Sequence, residues 1–458
     1  MTTCEASATS PISLWSNGNA TVAFGGTALV TLGAYADRAT NTVLPRVADD
    51  LHGLAWFGAA AAAPMITYVA ATAWAGIRVD RRGPAGGIVL AAVLFVLAQL
   101  LSALSPDMAV FTGTRLLSGA SEAILDISVT VLVAQLLPEQ LRAKVFAAFA
   151  VAWVAPSVAG PVVAGALADG VGWRWSFFLT GLLMLPAFAI VAPALRRSVA
   201  GSGSVPRRGE PAASRRVLAA VLASLVLGVL AWVGSTGQLW LLVPALAMLA
   251  ATLLRTLPAG TLRAQPGPPA IIAVRAMVAG SFAVGALFLP LMLVTLRGYS
   301  LSHAGVVMTL TAALWAFGSW LNARDRIQAF PATGRLRVAL GLMALGIAGT
   351  ATFVLPAVPG LVGMITWSIA SLGIGLATPT LSVAMLAAAP VQEQGHYQSG
   401  IYIAQATASS VVGALGGALI ATGHDTAAGF GVMLLAGAVI ALLGAALAGR
   451  VAKPLRNP

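Results

Sequence analysis

The fold is decided by residues Phe111–Gln135, FTGTRLLSGASEAILDISVTVLVAQ, a stretch long and apolar enough to cross a membrane as one helix. It nevertheless contains Arg115, Glu122 and Asp126. At about 100° per residue, these three and Gly119 fall within roughly 60° of one another on the helix surface. A charge at the middle of a bilayer costs about 2.5–3.5 kcal/mol, so this face is predicted to line a wet cavity or to contact another helix. The pattern indicates a transport pathway.

The composition predicts a membrane protein with many spans. Hydrophobic residues make up 59% of the 458 residues, charged residues make up 9%, and the mean hydropathy is +0.90. These values exclude a soluble enzyme with a single anchor. The net charge of +12 would suggest nucleic-acid binding in a soluble protein. Here the basic residues fall in alternate loops, which indicates membrane topology, and no nucleic-acid partner is expected.

Fourteen apolar segments predict an all-α polytopic protein in which two six-helix bundles flank an inserted pair of helices, 217–234 and 239–256. Most of the 26 basic residues then fall on one side of the membrane, so the positive-inside rule predicts that both termini are cytoplasmic. The inserted pair carries no embedded charge and is expected to lie at the periphery. The predicted units are an N-terminal cytoplasmic segment at 1–19, a first bundle at 20–195, a linker with the inserted pair at 196–268, a second bundle at 269–449, and a cytoplasmic tail at 450–458.

The loop after the second helix is Gly76-Ile-Arg-Val-Asp80-Arg81-Arg-Gly83, and it resembles the G-x-L-x-D-R-x-G-R loop of the major facilitator superfamily. Glycine permits a tight turn, and an aspartate caps a helix end and bridges to a neighbouring helix. Gly76, Asp80, Arg81 and Gly83 are therefore expected to form a conformational gate that holds the two bundles together. The alternative is an ordinary turn whose arginines only set the topology.

Two further motifs are similar to motifs of the same superfamily. Arg115-Leu-Leu-Ser-Gly119 resembles its fourth-helix motif, with Ser118 in place of the usual glutamine. Trp173-Arg-Trp-Ser-Phe177 resembles the opening of the sixth helix in drug exporters. These aromatic residues are also expected to form part of an interfacial belt.

The fifth helix carries the motif that narrows the resemblance. Pro156 precedes Gly160-Pro161-Val-Val-Ala-Gly165, which resembles the G-P-x-x-G-G antiporter motif, with Ala164 in place of one glycine. Together with the predicted six, two and six helices, this resemblance implies a fourteen-helix drug:proton antiporter with the major facilitator fold.

The first helix contributes a third acidic candidate. Exporters of this kind usually place an acid nine positions before a Leu-Pro end; that position is Ala36 here, and the acid is Asp37, followed by Arg38. A shift of one residue turns the carboxylate by about 100° around the helix. By helical rise, Asp37 and Arg115 lie at comparable depths, so Asp37 is expected to pair with either Arg115 or Arg38.

The second predicted bundle offers fewer candidates. Gln405 faces the membrane interior and is expected to line the cavity. Arg275 lies near a helix end and is interpreted as a topology-setting anchor. Gln398 belongs to a polar segment that is interpreted as a solvated surface.

The sequence thus predicts a secondary transporter in the inner membrane, active as a monomer, that exports a small, fairly apolar organic compound in exchange for protons. Glu122, Asp126 and Asp37 are the predicted proton-coupling residues, and Arg115, Arg38 and Gln405 are their predicted charge and cavity partners. A phosphate-binding G-x-x-x-x-G-K-[ST] loop and a Cys/His metal cluster are absent from the sequence, so no cofactor, metal or enzyme activity is expected. The alternatives are proton-linked transport of one metabolite, or a membrane sensor or scaffold.

Overall fold

The computed structural model describes Trp15 and residues 18–53, 56–201, 211–236, 238–299, 301–421 and 427–452. Most of the predicted segment 1–19, the middle of the linker and the end of the tail lie outside these residues. The described chain is helical, and its α-helices are α1 (Asn19–Asp50), α2 (Phe57–Arg82), α3 (Ala85–Ala103), α4 (Met108–Leu136), α5 (Glu139–Gly170), α6 (Arg174–Gly201), α7 (Pro211–Thr236), α8 (Leu242–Thr256), α9 (Pro268–Arg297), α10 (Leu301–Asn322), α11 (Asp325–Gln328), α12 (Ala332–Thr350), α13 (Gly360–Ala388), α14 (Gln394–Ala421) and α15 (Ala427–Leu447).

Twelve helices of the described chain are long and apolar enough to cross a membrane. The all-helical membrane architecture is therefore confirmed, but the predicted count of fourteen spans is not supported. The two long helices outside the twelve are α1 and α10. In α1 the apolar run is interrupted by charged residues, which are Asp37, Arg38, Arg46, Asp49 and Asp50. In α10 the side chains of residues 301–306 lie outside the described set.

Helix packing separates the chain into two groups of contacts. In the first group, α1 contacts α5 and α6, α4 contacts α2 and α3, and α3 also contacts α6. In the second, α9 contacts α14 and α15, α12 contacts α13 and α15, and α10 contacts α13. The groups meet where α2 and α4 contact α14 and where α5 contacts α10 and α13.

The inserted helices α7 and α8 differ in their surroundings. Helix α8 packs mainly on α7, and its exposed apolar side chains include Val243 and Met248. Helix α7, in contrast, contacts both α2 and α14, and its Leu227 and Leu230 are buried in the same core cluster as Val69 of α2. The prediction of a peripheral pair is therefore correct for α8 and wrong for one face of α7, because that face covers the joint between the two helix groups.

Small residues allow α2 and α4 to approach closely. A Cβ added to Gly119 of α4 would collide with the carbonyl oxygen of Pro64 in α2, and it would lie 2.6 Å from Thr67 Oγ1. Thr67 Oγ1 also donates a hydrogen bond of 2.6 Å to the carbonyl oxygen of Leu116. The absence of a side chain at Gly119 therefore sets the distance between these two helices, and with it the position of the charged face of α4.

Because this contact has no free space, Gly119→Ala is expected to push α2 and α4 apart and to destabilise the protein by about 1–3 kcal/mol, the usual cost of overpacking. Gly113→Ala is the matched control, since Gly113 lies on the same helix and a Cβ there would meet nothing within 4 Å. The melting temperature of each purified variant in detergent measures the effect. Equal melting temperatures for the two variants would contradict this account of the packing.

Candidate functional site

Arg115 is buried at the start of the charged face of α4. Its side chain is 3% exposed, and Nη1 donates a hydrogen bond of 3.4 Å to Thr40 Oγ1 of α1. Its Nε atom is buried and has no partner among the described residues. The carboxylates of Asp37 and Glu122 lie within electrostatic range of the guanidinium. The sequence prediction of a cation beside these acids is thus geometrically satisfied.

Asp37 of α1 lies between its two predicted partners. Its Oδ2 atom is 4.0 Å from Arg38 Nε, and its Oδ1 accepts a hydrogen bond of 3.3 Å from Asn41 Nδ2. The pairing with Arg38 is therefore the ion pair that the structure contains, and Arg115 interacts with Asp37 at longer range. The Asp37–Arg38 pair is partly exposed, with side-chain exposures of 31% and 44%. Such a pair contributes little to stability, so it leaves Asp37 free to exchange partners.

Glu122 and Asp126 follow one helical turn apart, and both are partly exposed although they lie at the middle of α4. Glu122 lies within electrostatic range of Asp37, Asp126, Arg115 and Arg38, but it forms no hydrogen bond or ion pair within the described chain. Asp126 differs, because its Oδ2 accepts a hydrogen bond of 2.7 Å from the hydroxyl of Tyr68 in α2. The Glu122 carboxyl group is thus without a hydrogen-bond partner in the described chain, whereas the Asp126 carboxylate is hydrogen-bonded to Tyr68.

Two tyrosines that the sequence analysis did not single out complete this region. Tyr68 of α2 bonds Asp126, and the hydroxyl of Tyr402 in α14 is 3.1 Å from Thr130 Oγ1 of α4. The second contact joins the two helix groups. A tyrosine in an apolar segment is usually a packing residue. Tyr68 and Tyr402 differ from such residues in that each hydroxyl contacts a polar group on another helix, which the sequence does not reveal.

Arg275 of α9 is not the surface anchor that the sequence predicted. Its side chain is 8% exposed. The guanidinium donates from Nε to Gln405 Oε1 at 2.8 Å and from Nη1 to the carbonyl oxygen of Thr378 at 3.3 Å. It also lies within electrostatic range of the Tyr68 and Tyr402 hydroxyls. Gln405 therefore faces the interior as predicted, but its carbonyl group is occupied by Arg275.

We refer to the space bordered by five partly exposed polar side chains as the central cleft. These side chains are partly accessible although they lie far from the helix ends, in the region where the two helix groups meet. They come from α2 and α4 on one side and from α14 on the other, and they are Tyr68, Glu122, Asp126, Tyr402 and Gln405.

The loop predicted to be a gate joins the two helix groups at one end of the protein, here called the Asp80 end. Asp80 accepts hydrogen bonds from the backbone N–H groups of Gly395, at 2.7 Å, and His396, at 2.8 Å, both in the first turn of α14. The carboxylate thereby caps the positive end of a helix that belongs to the other group. We call this contact the latch.

Small residues give the latch its shape. A Cβ on Gly76 would lie 2.6 Å from the Gly395 carbonyl oxygen and 2.8 Å from Ser399 Oγ. Gly83 ends α2 with φ 73°, a conformation that favours glycine. Arg81 is exposed at this helix end. The interpretation of Gln398 as part of a solvated surface is wrong, because its side chain is 1% exposed where α14 meets the other helices, whereas Gln392 in the same polar segment is exposed.

The antiporter-motif residues lie on α5, which continues through Pro156 and Pro161. A Cβ on Gly160 would lie 3.2 Å from the Cβ of Arg38 in α1, so this glycine allows α1 and α5 to pack closely beside the Asp37–Arg38 pair. Gly165 has no atom within 4 Å of its added Cβ position. The four residues therefore do not act as one contact surface.

The opposite end of the first helix group, here called the Asp50 end, is closed by a clamp. Asp50 Oδ2 accepts hydrogen bonds from Trp173 Nε1 at 3.0 Å and from Arg174 Nη1 at 2.9 Å. The Trp173 ring packs edge-to-face on Phe111 and Phe177, with centroid distances of 6.2 and 5.8 Å. Trp173 is thus buried and fixes α6 on α1 and α4.

Comparison with known families identifies the architecture. The model of the family described as Major Facilitator Superfamily matches residues 24–409. The chain belongs to the major facilitator superfamily. This superfamily consists of multi-pass membrane transporters and not of enzymes, in agreement with the class predicted from the sequence.

Curated relatives of this superfamily match over short stretches. The rubrofusarin-specific efflux pump aurT of Gibberella zeae is 30% identical over 139 residues, which are 30% of this chain and 25% of that protein. The drug efflux pump JefA of Mycobacterium tuberculosis is 27% identical over 156 residues, which are 33% of this chain and 29% of that protein. The chain thus aligns with about a quarter to three tenths of these relatives' length.

Solved structures of the superfamily match over nearly the whole chain. The human organic anion transporter MFSD10 superposes with a TM-score of 0.71 at 15% identity, covering 94% of this chain and 99% of that one. A bacterial homologue of the iron transporter ferroportin, in an outward-facing state, gives a TM-score of 0.69 at 14% identity with coverages of 94% and 99%. At these identities the similarity shows the fold alone.

The latch predicts a specific effect of Asp80→Asn. An amide lacks the charge that favours a helix N-terminus, and loss of a cap costs about 1 kcal/mol, so the latched population is expected to fall by about fivefold. The labelling rate of Ser399→Cys by a permeant maleimide, in a Cys4→Ala background, measures this opening because Ser399 is buried beneath the latch.

Asp325→Asn is the matched control for this measurement. Asp325 is 3.9 Å from Lys144 across the same two helix groups, but its side chain is 93% exposed. It is expected to leave the labelling rate unchanged. If Asp80→Asn labels no faster than Asp325→Asn, the Asp80 contact does not hold this end closed.

Proposed function

We propose that this transporter exports a small, fairly apolar organic compound in exchange for protons by alternating access. The observation that carries the proposal is the pair Glu122 and Asp126, which borders the central cleft one turn apart. Neither carboxyl group has an ion-pair partner within 4.0 Å in the described chain, so each is able to gain and lose a proton without breaking a salt bridge. The names of the relatives that are efflux pumps support export.

Glu122 is the proposed main proton carrier. Its carboxyl group has no hydrogen bond to the described protein, whereas the Asp126 carboxylate is held by Tyr68. A carboxylate with a fixed donor keeps its position when substrate and protons exchange, so Asp126 is better suited to orientation. Asp37 is the reserve candidate, since it lies within electrostatic range of Glu122 and its partner Arg38 is exposed. Arg115 supplies the cation that interacts with both acids.

The latch is the proposed gate, with Gly76, Asp80 and Gly83 as its working parts and Arg81 as an adjacent basic residue. Closure of the Asp80 end corresponds to an outward-facing conformation if this end is cytoplasmic. The distribution of basic residues supports that orientation. We propose that both termini are cytoplasmic and that the protein lies in the inner membrane. Movement of the two helix groups about the central cleft would then expose it alternately to each side.

We also propose that α1 and α10 cross the membrane, which brings the spans to the fourteen of drug:proton antiporters. Both helices are long, at 32 and 22 residues, and both pack within the helix groups. The Pro156, Gly160, Pro161 and Gly165 segment supports the same subtype, because Gly160 lies against α1 beside the proposed coupling residues. The functional unit is proposed to be a monomer, since the two helix groups already share buried core clusters within one chain.

Proton coupling is tested by Glu122→Gln and Asp126→Asn in energised vesicles. Glu122→Gln is expected to abolish concentrative, proton-driven transport but to retain downhill exchange, because glutamine is neutral like the protonated acid. Asp126→Asn is expected to slow transport several-fold with coupling preserved. Both rates are measured with and without an imposed pH gradient, against a panel of organic substrates.

The matched control is Glu139→Gln, which removes an exposed acid at the start of α5. If Asp126→Asn loses coupling and Glu122→Gln retains it, the two assignments are reversed. If the transport rates of both variants keep their dependence on the pH gradient, Asp37→Asn tests whether the proton-coupling residue lies in α1. A wild-type protein that moves no compound of the panel against its gradient would contradict proton-coupled export.

The orientation is tested by cysteine labelling in intact cells. In a Cys4→Ala background, Gln238→Cys, between α7 and α8, is expected to react with an impermeant maleimide from outside. Gln265→Cys, between α8 and α9, is expected to react only after permeabilisation. Both residues are in described turns outside the α-helices. Labelling of Gln238→Cys from the cytoplasmic side would refute the proposed topology.

A further inference from the structure

The second helix group contains a buried cation with no acidic partner. Arg275 is 8% exposed, and its recorded bonds go to the uncharged oxygens of Gln405 and Thr378. No carboxylate of the described chain lies within 4.0 Å of it. Buried charges in proteins are normally paired with an opposite charge, because removing a charge from water is costly. Arg275 is therefore an exception that requires a reason.

The unsatisfied part of Arg275 faces accessible space. A guanidinium has five N–H donors, and the two recorded bonds leave the remaining donors available. The Nε atom of Arg115 is buried and has no hydrogen-bond partner among the described residues. Each side-chain nitrogen of Arg275, in contrast, is either hydrogen-bonded or accessible to solvent in the described structure. Its neighbour Gln405 is partly exposed to the central cleft. Solvent therefore reaches part of the Arg275 guanidinium.

The amide of Gln405 is a further hydrogen-bond donor beside this space. Gln405 uses its carbonyl oxygen to accept from Arg275 Nε, which leaves its amide N–H₂ to donate. The hydroxyls of Tyr68 and Tyr402 lie within electrostatic range of the guanidinium. A cation with a fixed orientation and an adjacent amide donor matches a carboxylate or a similar oxyanion, which accepts two or more parallel hydrogen bonds.

We propose that Arg275 and Gln405 form an anion subsite of the central cleft, which binds a carboxylate, phenolate or sulfonate group of the transported compound. The inference rests on the proposed export function and specifies its substrate class as organic anions with an apolar body. The apolar body would lie toward the partly exposed Tyr68 and Tyr402 rings, at the joint between the helix groups.

The charge distribution fits such a substrate. Glu122 and Asp126 belong to the first helix group and Arg275 to the second. The electrostatic interactions recorded for the two acids do not include Arg275. Tyr68 and Tyr402, however, lie within electrostatic range of both Asp126 and Arg275, so a proton on the acids and a substrate anion at Arg275 would bind on facing helix groups with these two tyrosines between them. An inside-negative membrane potential also favours outward movement of an anion.

The test measures binding to the full-length purified protein, without any requirement for transport. The probes are 2-naphthoate, 2-naphthalenesulfonate and 4-nitrophenolate, each paired with an uncharged analogue: 2-naphthamide, 2-naphthalenesulfonamide and 4-nitroanisole. At least one anion is expected to bind wild type about tenfold more tightly than its neutral analogue, by calorimetry and by the ligand-induced rise in melting temperature. Arg275→Gln is expected to lose this preference, Arg275→Lys to keep part of it, and Gln405→Ala to weaken it.

Arg337→Gln is the matched control, because it removes one positive charge from an exposed position in the same helix group. It is expected to retain the preference for anions. A purely structural role of Arg275 would lower the melting temperature of Arg275→Gln but leave the ratio of anion to neutral binding unchanged, and this result would overturn the proposal. No preference for any anion in wild type would overturn it as well.

The two proposals fail differently. Anion binding that depends on Arg275, in vesicles that show no proton-dependent efflux, would contradict the proposed export and leave the anion subsite intact. Proton-coupled efflux of neutral or cationic compounds, with no loss in Arg275→Gln, would support export and reject the subsite.

Discussion

The structure depends on one constraint: a charged group inside a membrane protein needs an opposite charge, a hydrogen-bond partner or water. The interior charges meet this constraint in different ways. Arg115 has Thr40 and two nearby acids, Asp126 has Tyr68, and Arg275 has only uncharged oxygens. Glu122 has no fixed partner in the described chain. Glu122 and Arg275 thus have the fewest neutralising contacts of these groups, and they are the two that the proposed proton and substrate anion would satisfy.

The two ends of the protein are held by chemically different contacts. At the Asp50 end, a carboxylate bonds the side chains of Trp173 and Arg174, and the Trp173 ring is buried among Phe111 and Phe177. This clamp lies within one helix group, so it does not need to open. At the Asp80 end, the carboxylate bonds two backbone N–H groups of the other helix group. Such a cap contributes about 1 kcal/mol, which is small enough for a substrate or a proton to shift the balance between conformations. The Asp50 contact thus joins helices of one group, whereas the Asp80 contact joins the two groups.

The sequence predicted most of the first helix group but little of the second. Periodicity alone indicated that Arg115, Glu122 and Asp126 share a face, and the glycine and aspartate spacing indicated the Asp80 loop. The predicted count of fourteen spans is not supported, because the charged residues of α1 leave it outside the twelve helices that are long and apolar enough to cross a membrane. Arg275 was misinterpreted because depth along a helix does not reveal which helices surround it. Tyr68 and Tyr402 were missed since their partners, Asp126 and Thr130, are remote in sequence and are identified only by packing.

Helix α7 constrains how the two groups move, because it covers the joint that the latch closes. Its contact with α14 is tight: a Cβ on Gly234 would lie 2.6 Å from the Ala414 carbonyl oxygen. Its contact with α2 is looser, since a Cβ on Gly228 would lie 3.8 Å from the Ile66 side chain. Two helices whose backbones approach closely resist sliding past each other, whereas apolar side chains at van der Waals distance repack at low free-energy cost. At these two glycines α7 therefore packs more closely on α14 than on α2. Its apolar side chains nevertheless share one buried cluster with Val69 of α2, so α7 joins the two helix groups from both sides.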